Sequence, residues 1–313
     1  MSELANGRKG NMNWLVPLDI GLSMGLILAW AVVALALPFR LLNFPDLTIE
    51  GSLPLGAAVY AVLLKQGTPL LATVGAGLLA GAVVGGVTAC LHTRFRLNKF
   101  LAGIIVVAMT YSLSLRIMGA SNIGLLQSLS LFDLIAPLDR AVGGPFHVGT
   151  MLLLSSLLGL GAVTLVLALS SRTGLQLRVA GSNPEYARSL GISVPWNLVL
   201  GLALTNSLAA AAGVLLAMRQ GFADVAMGQG ILILALAAMT IGERLLPERV
   251  LPFQIFVVLA AILGSLLYQI LVAYAVRMGL AATDLKLATA VLVLMVVALR
   301  VSRNGGLFAE DLQ

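Results

Sequence analysis

About nine stretches of apolar sequence, separated by short polar breaks, leave this chain very few possible folds. They run approximately 17–38, 52–64, 69–91, 100–118, 150–171, 196–218, 229–242, 251–275 and 285–301. A segment inside a bilayer finds no water for its backbone polar groups. It must therefore bond internally as a helix or close into a barrel. Runs of about 20 apolar residues suit the helix. The expected fold class is an all-α membrane protein with about nine transmembrane spans. Composition agrees: 59% of the 313 residues are hydrophobic and 10% are charged, against about 25% charged in soluble domains. The mean hydropathy is +1.02. The 33 glycines and 11 prolines suit close helix packing and interrupted helices.

Several chemistries are excluded at this level. Cys90 is the single cysteine, so an intramolecular disulfide and a cysteine-cluster metal site are ruled out. His92 and His147 fall in different loops, and neither HExxH nor GxxxxGK[ST] occurs. No metal, cofactor or catalytic group is expected. The net charge of +6 fits loops beside anionic membrane lipid and does not require nucleic acid. The polar first residues, MSELANGRKGNMN, lack a cleavable apolar core, and no signal peptide is expected.

The second and seventh spans are short for a crossing. Each follows a polar, glycine-containing break: NFPDLTIEGS before one, QGFADVAMGQG before the other. Both read as broken or re-entrant helices, because irregular backbone is tolerated at depth only where protein or a water-filled cavity covers it. The breaks align loosely, Phe44 to Gly51 with Phe222 to Gly228. Spans one to four and six to nine then form two similar halves, and the odd fifth span inverts one against the other. Paired broken helices in inverted halves point to a transport pathway, the alternative being coincidence between two loops containing Asp. Candidate pathway or gating residues are Asn43, Asp46, Thr48, Glu50, Ser112, Asn206, Gln220, Asp224 and Gln229. Polar groups at membrane depth are costly and default to function, although those near span ends can simply be solvated. Asn206 lies in the middle of a span. Glu243 is expected to pair with Arg244 or Arg249 at the surface.

Gly77, Gly81 and Gly85 recur at four-residue spacing in the third span, and Gly213 follows a run of alanines in the sixth. Both read as smooth faces for helix packing. The region 119–148 is the largest outer segment; it could form a surface helix over 129–139 or serve as an ordinary connection.

The longest polar interruption of the second half is RTGLQLRVAGSNPEYARSLGISVP, residues 172–195. Ser182 with Glu185 reads as a capping box, Pro184 falls in the first turn, and Gly191 is a stop. A helix of about two turns, Asn183 to Leu190, is expected between two spans. It is either a docking knob for a soluble partner or an ordinary surface helix, with Arg188 the stronger docking candidate and Glu185 a cap. Placing this loop inside puts eleven of the 19 Lys and Arg residues inside, counting Arg40, Arg94, Arg96, Lys99, Arg172, Arg178, Arg188, Arg244, Arg249, Arg300 and Arg303. Arg8, Lys9, Lys65, Arg116, Arg140, Arg219, Arg277 and Lys286 are left outside. The N-terminus is then outside and the C-terminus cytoplasmic.

Four blocks, LNFPDLTIEGSLPLGAAV, RFRLNKFLAGIIVVAMTYSLSLRIMGASNIGLL, GLQLRVAGSNPEYARSLGI and QGFADVAMGQGILILALAAMTIGE, resemble the permease subunits of bacterial ABC importers. The group serves ribose, nucleosides and branched-chain amino acids. This chain is most similar to the branch linked to tryptophan and other amino acids. The resemblance implies one permease domain over 1–313, with spans 1–4 at about 17–118, a connecting span at about 150–171, a cytoplasmic coupling segment at about 173–194, spans 6–9 at about 196–301, and a cytoplasmic tail at 302–313. It implies two ABC ATPase subunits, a second permease chain in a homodimer, an extracytoplasmic binding protein, and residence in the bacterial inner membrane. Gly181, Asn183, Pro184, Glu185, Ala187, Arg188 and Gly191 match the coupling-helix motif of the family. Glu50 departs from the motif usual in sugar permeases, which weakens the inference of a sugar; the expected substrate is an aromatic or branched-chain amino acid, with nucleosides and sugars as the alternative. An ion-coupled secondary transporter is the competing class; it would need acidic residues deep in the membrane.

Overall fold

The computed structural model describes residues 2–125, 130–143, 146–247 and 250–281, with positions 284, 287, 290 and 291. The described residues form eleven helices and one short two-stranded pairing. Eight of the helices overlie the first eight apolar stretches. They are α1 (Ser2–Leu41), α2 (Ile49–Lys65), α3 (Leu70–Arg94), α4 (Lys99–Met118), α6 (Val148–Ser170), α9 (Val194–Gln220), α10 (Ile231–Leu245) and α11 (Phe253–Arg277). Six are long and apolar enough to cross a membrane: Trp14–Leu41 of α1, and all of α3, α4, α6, α9 and α11. The chain is thus a mostly helical, multi-pass membrane protein. Apart from positions 287, 290 and 291, the expected ninth span, 285–301, lies outside the described residues, as do the tail 302–313 and Arg249, Lys286, Arg300 and Arg303, so a count of nine is not established. The two stretches that read as short are α2, with 17 residues, and α10, with 15.

Tight helix contacts fix the order of the bundle. α3 runs antiparallel to α9 along a glycine row. A Cβ on Gly77 would sit 2.9 Å from Val214 Cγ2 and equally near Gly56 O of α2, one on Gly81 2.4 Å from Asn206 O, and one on Gly85 1.9 Å from Leu202 O. Gly213 of α9 abuts α2 in the same way, 2.0 Å from Leu53 O. α1 packs on α11 through Gly21 and Gly25, whose Cβ positions fall 2.8 Å from Ile270 Cα and 2.9 Å from Leu266 Cα, and Ser265 Oγ donates to Gly25 O at 2.9 Å. Helices in lipid gain little from apolar burial against each other, so close backbone approach is what makes such contacts favourable.

One end of the bundle gathers the last turn of α1, the α3–α4 turn and the start of α11. Lys99 Nζ donates to Asn43 O at 2.7 Å, and Phe44 meets His92 edge-on at 5.3 Å. Arg40 forms a two-bond ion pair with Glu243 at the end of α10. Glu243 therefore pairs with Arg40 rather than with Arg244, while the other expected partner, Arg249, lies outside the described residues. The run of α10 carries it to the end of α1, a contact across the fold that local spacing does not reveal.

The opposite end carries β1 (Asn122–Gly124), paired antiparallel with β2 (Phe222–Asp224), and α5 (Leu131–Val142). α5 overlaps the expected surface helix at 129–139. Ser130 and Asp133 make its capping box, with Ser130 N–H donating to Asp133 Oδ2 at 2.8 Å. Two carboxylates receive the free N–H groups at the start of α6. Asp139 accepts from Gly149 N–H and from Thr150 Oγ1, the latter at 2.8 Å, and Asp19 accepts from His147 N–H at 3.0 Å and pairs with its Nδ1 at 2.8 Å.

Two helices occupy 172–195 where one was expected. α7 (Arg172–Ser182) precedes α8 (Pro184–Ser189). Gly174, Leu177 and Ala180 of α7, at three-residue spacing, are its buried face, and Leu177 packs on Gly201 of α9.

Candidate functional site

The break before α2 closes on a buried polar cluster. Asp46 follows the end of α1, and its Oδ1 accepts the Thr48 N–H at 2.9 Å and the Thr48 hydroxyl. This is the local turn that an Asp two residues before a helix start can make. Asp46 Oδ2 accepts from Asn206 Nδ2 at 2.7 Å, near the middle of α9. Asn206 Oδ1 accepts in turn from Ser52 Oγ at 2.6 Å and Thr48 Oγ1 at 3.0 Å. All four side chains are at most 1% exposed. Such a network is stable because every member is paired; an unpaired member would be costly. Ser52 was not among the sequence candidates. Its place one turn beyond Thr48 on α2 was the available signal.

The break before α10 is built differently. Asp224 Oδ1 accepts from Ala226 N–H at 2.6 Å and Oδ2 from Asn122 Nδ2 at 3.2 Å, at the level of the β pairing. The chain then descends to Gly228, where a Cβ would lie 2.1 Å from Glu50 O. Gly230, with φ +86, caps α10, and its N–H donates to Glu50 Oε1 at 3.0 Å. Glu50 lies in the first turn of α2. One half-buried carboxylate thus stands where two helix N-termini converge, and each carries partial positive charge.

The remaining candidates are scattered. Asn43, with φ 48, is exposed at the α1 end. Ser112 is exposed on α4, bonded to Ala108 O at 3.3 Å, and lines an apolar groove of about 870 Å³ between α2, α3 and α4. Gln220 and Gln229 are exposed at either end of the second break. The structure joins Asp46, Thr48 and Asn206 in one cluster and places Glu50 against the other break; it does not draw the nine together.

α8 stands clear of the spans. Asn183 is its N-cap: its backbone is extended, and Oδ1 accepts from Tyr186 N–H at 2.9 Å. Ser182 instead completes α7 and donates to Val179 O at 3.4 Å, so the Ser182–Glu185 capping box is not formed. Its helical backbone excludes it from a cap. Pro184 is the first helical residue, Ala187 is fully buried beneath the helix, and Gly191, with φ +75, follows its end. Gly181 presses on α1, a Cβ there lying 2.1 Å from Leu41 O. Glu185 and Arg188 face outward. So do Tyr186 at 57% and Leu190 at 56% exposure, two contact residues the sequence reading passed over.

These features are those of a membrane transport component, a broken-helix bundle with an anchored external helix. Residues 18–299 match the family described as branched-chain amino acid transport system / permease component, and the chain belongs to that family. It is 35% identical to a tyrosine transport system permease protein of Clostridioides difficile over 283 residues, 88% of this chain and 89% of that one. An uncharacterized protein of Rickettsia prowazekii is 30% identical over 85% of this chain and 91% of its own. The ribose import permease protein RbsC of Escherichia coli is 26% identical over 63% of this chain and 60% of its own. No solved structure matches the chain.

Proposed function

We propose that this chain is the membrane-spanning permease of an ATP-driven importer, with α8 as the helix through which cytoplasmic ATPase subunits move it. The observation that carries the reading is the construction of α8. It is capped at Asn183, anchored by Ala187 and by Gly181 on the end of α1, and it presents Glu185, Tyr186, Arg188 and Leu190 to the outside. A rigid, capped helix transmits force without fraying. Its motion would reach the end of α1 through Gly181 and the break before α2 through Asp46.

On this reading α1–α4 and α9–α11 belong to two inverted halves, the second completed by the stretch at 285–301. The N-terminus is outside and the C-terminus in the cytoplasm of a bacterium, across its inner membrane. The path lies by Glu50, where the starts of α2 and α10 meet, and a second copy of the chain completes it. An extracytoplasmic binding protein delivers the substrate, and hydrolysis takes place in two separate ATPase subunits. The substrate is an amino acid, aromatic or branched-chain. The tyrosine permease relative supports this. The weaker likeness to RbsC keeps sugars and nucleosides as the alternative cargo.

An ion-coupled mechanism draws on one observation, the deeply buried Asp46. Its carboxylate is held by Thr48 and Asn206, which suits a structural tie better than a carrier of moving protons.

Arg188→Glu should abolish substrate-stimulated ATP hydrolysis in a complex reconstituted with its ATPase and binding protein, while the permease stays folded and monodisperse. Normal stimulated turnover would remove α8 from the coupling role.

A further inference from the structure

The ends of α1, α7 and α11 enclose a cleft of about 590 Å³ that transport itself does not require. Phe39, Arg40, Leu175, Arg178, Ser182 and Phe253 are on its wall. Its two cations differ. Arg40 is committed through Nε and Nη2 to Glu243, a neutral pair. The Arg178 guanidinium carbon lies over the Phe253 ring, 4.6 Å from its centre, with no carboxylate in ion-pair range among the described residues. A guanidinium stacked on a ring keeps its in-plane N–H donors free, in the fork that matches a phosphate. Among the described residues, the cleft thus carries one positive charge without an ion-pair partner.

Its other walls are apolar and open: Phe39 is 42% exposed and Leu175 58%. The cleft also sits at a defined height. It lies where two candidate membrane spans, Trp14–Leu41 and Phe253–Arg277, end and begin, the level at which headgroups are expected. Basic pockets between membrane helices at this level take lipid headgroups. A soluble anion would satisfy Arg178 but leave Phe39 and Leu175 uncovered; a phospholipid satisfies both. We propose that this cleft holds an anionic phospholipid, its phosphate on the Arg178 fork and its acyl chains against Phe39 and Leu175. Assigning it to the inner leaflet rests on the cytoplasmic reading of α8; the headgroup chemistry does not.

Native mass spectrometry of the purified chain, equilibrated with equal phosphatidylglycerol and phosphatidylcholine, tests this. The unmodified protein should retain phosphatidylglycerol several-fold over phosphatidylcholine. Arg178→Gln should bring the two to parity, and so should Leu175→Glu, which places a like charge at an exposed position of the mouth. Arg172→Gln, exposed on the same helix away from the cleft, should leave the preference intact. Equal retention by the unmodified protein, or unchanged preference in both cleft variants, would overturn the proposal. Displacement of the lipid by excess inorganic phosphate would overturn it too, by making this a free-anion site. Loss of the lipid on addition of the ATPase subunits would give the cleft to that partner instead. The comparison of lipids and variants uses the permease alone, so its failure and that of the Arg188→Glu test are distinguishable.

Discussion

The breaks before α2 and before α10 resemble each other in sequence but are sealed by different means. The first is closed from within by side chains: Asp46, Thr48, Ser52 and Asn206 satisfy one another out of reach of solvent. The second is closed by backbone, through the β1–β2 pairing, Gly228 pressed on Glu50 O, and Gly230 in the left-handed region. From α2, Glu50 reaches it through both its carbonyl and its side chain. A break that enters the protein interior needs paired polar side chains, because nothing else there can bond them. A break that begins at the surface can lean on water and on a strand partner. The first should therefore be rigid and the second compliant, which suits a gate that moves mainly at α10.

Asn206→Leu should have the largest effect. It removes the donor to Asp46 and the acceptor of Ser52 together, leaving a buried carboxylate short of a partner, at a cost of about 3 kcal/mol. Thermal unfolding in detergent should show a marked fall in Tm or loss of monodisperse protein; an unchanged Tm would mean that the first break is not held by its cluster. Gly228→Val comes next. Its Cβ has no room against Glu50 O, and forced displacement there costs about 2 kcal/mol. Ala226→Val, exposed two residues earlier, should be nearly silent in the same melt. Glu50→Gln keeps the shape and the bond from Gly230 but removes the charge between two helix N-termini, a loss of about 1 kcal/mol. Transport assayed in parallel should change more than stability does, and the reverse order would make Glu50 merely a cap. Asp224→Ala should cost least, about 0.5 kcal/mol for hydrogen bonds that water can replace. If it proved worse than Asn206→Leu, the contrast between the two breaks would be inverted.

Much of this was readable beforehand. The eight described bundle helices follow the apolar stretches, because a membrane leaves a long apolar run no other conformation. Both short spans and both breaks were legible from length and from glycine. Asp46, Thr48 and Asn206 stood out as polar residues in apolar surroundings. α7 was not legible: RTGLQLRVAGS reads as a loop until Leu177 is seen to have α9 to pack against. The cap of α8 was misplaced by one residue for the same reason, since the helicity of Ser182 depends on α7 continuing through it.

The sequence by itself determined that the chain is a helical membrane protein, where its helices break, and that a polar, well-punctuated helix interrupts its second half. These follow from local rules of burial, backbone satisfaction and capping. Only the tertiary structure decided which polar group meets which. Asp46 meets Asn206 across 160 positions, Arg40 meets Glu243 across 203, and Glu50 meets Gly230 across 180. Each pairing is set by how far one helix slides along another before their backbones touch, and the glycines of α3, α9 and α1 fix that distance only once a partner is in place.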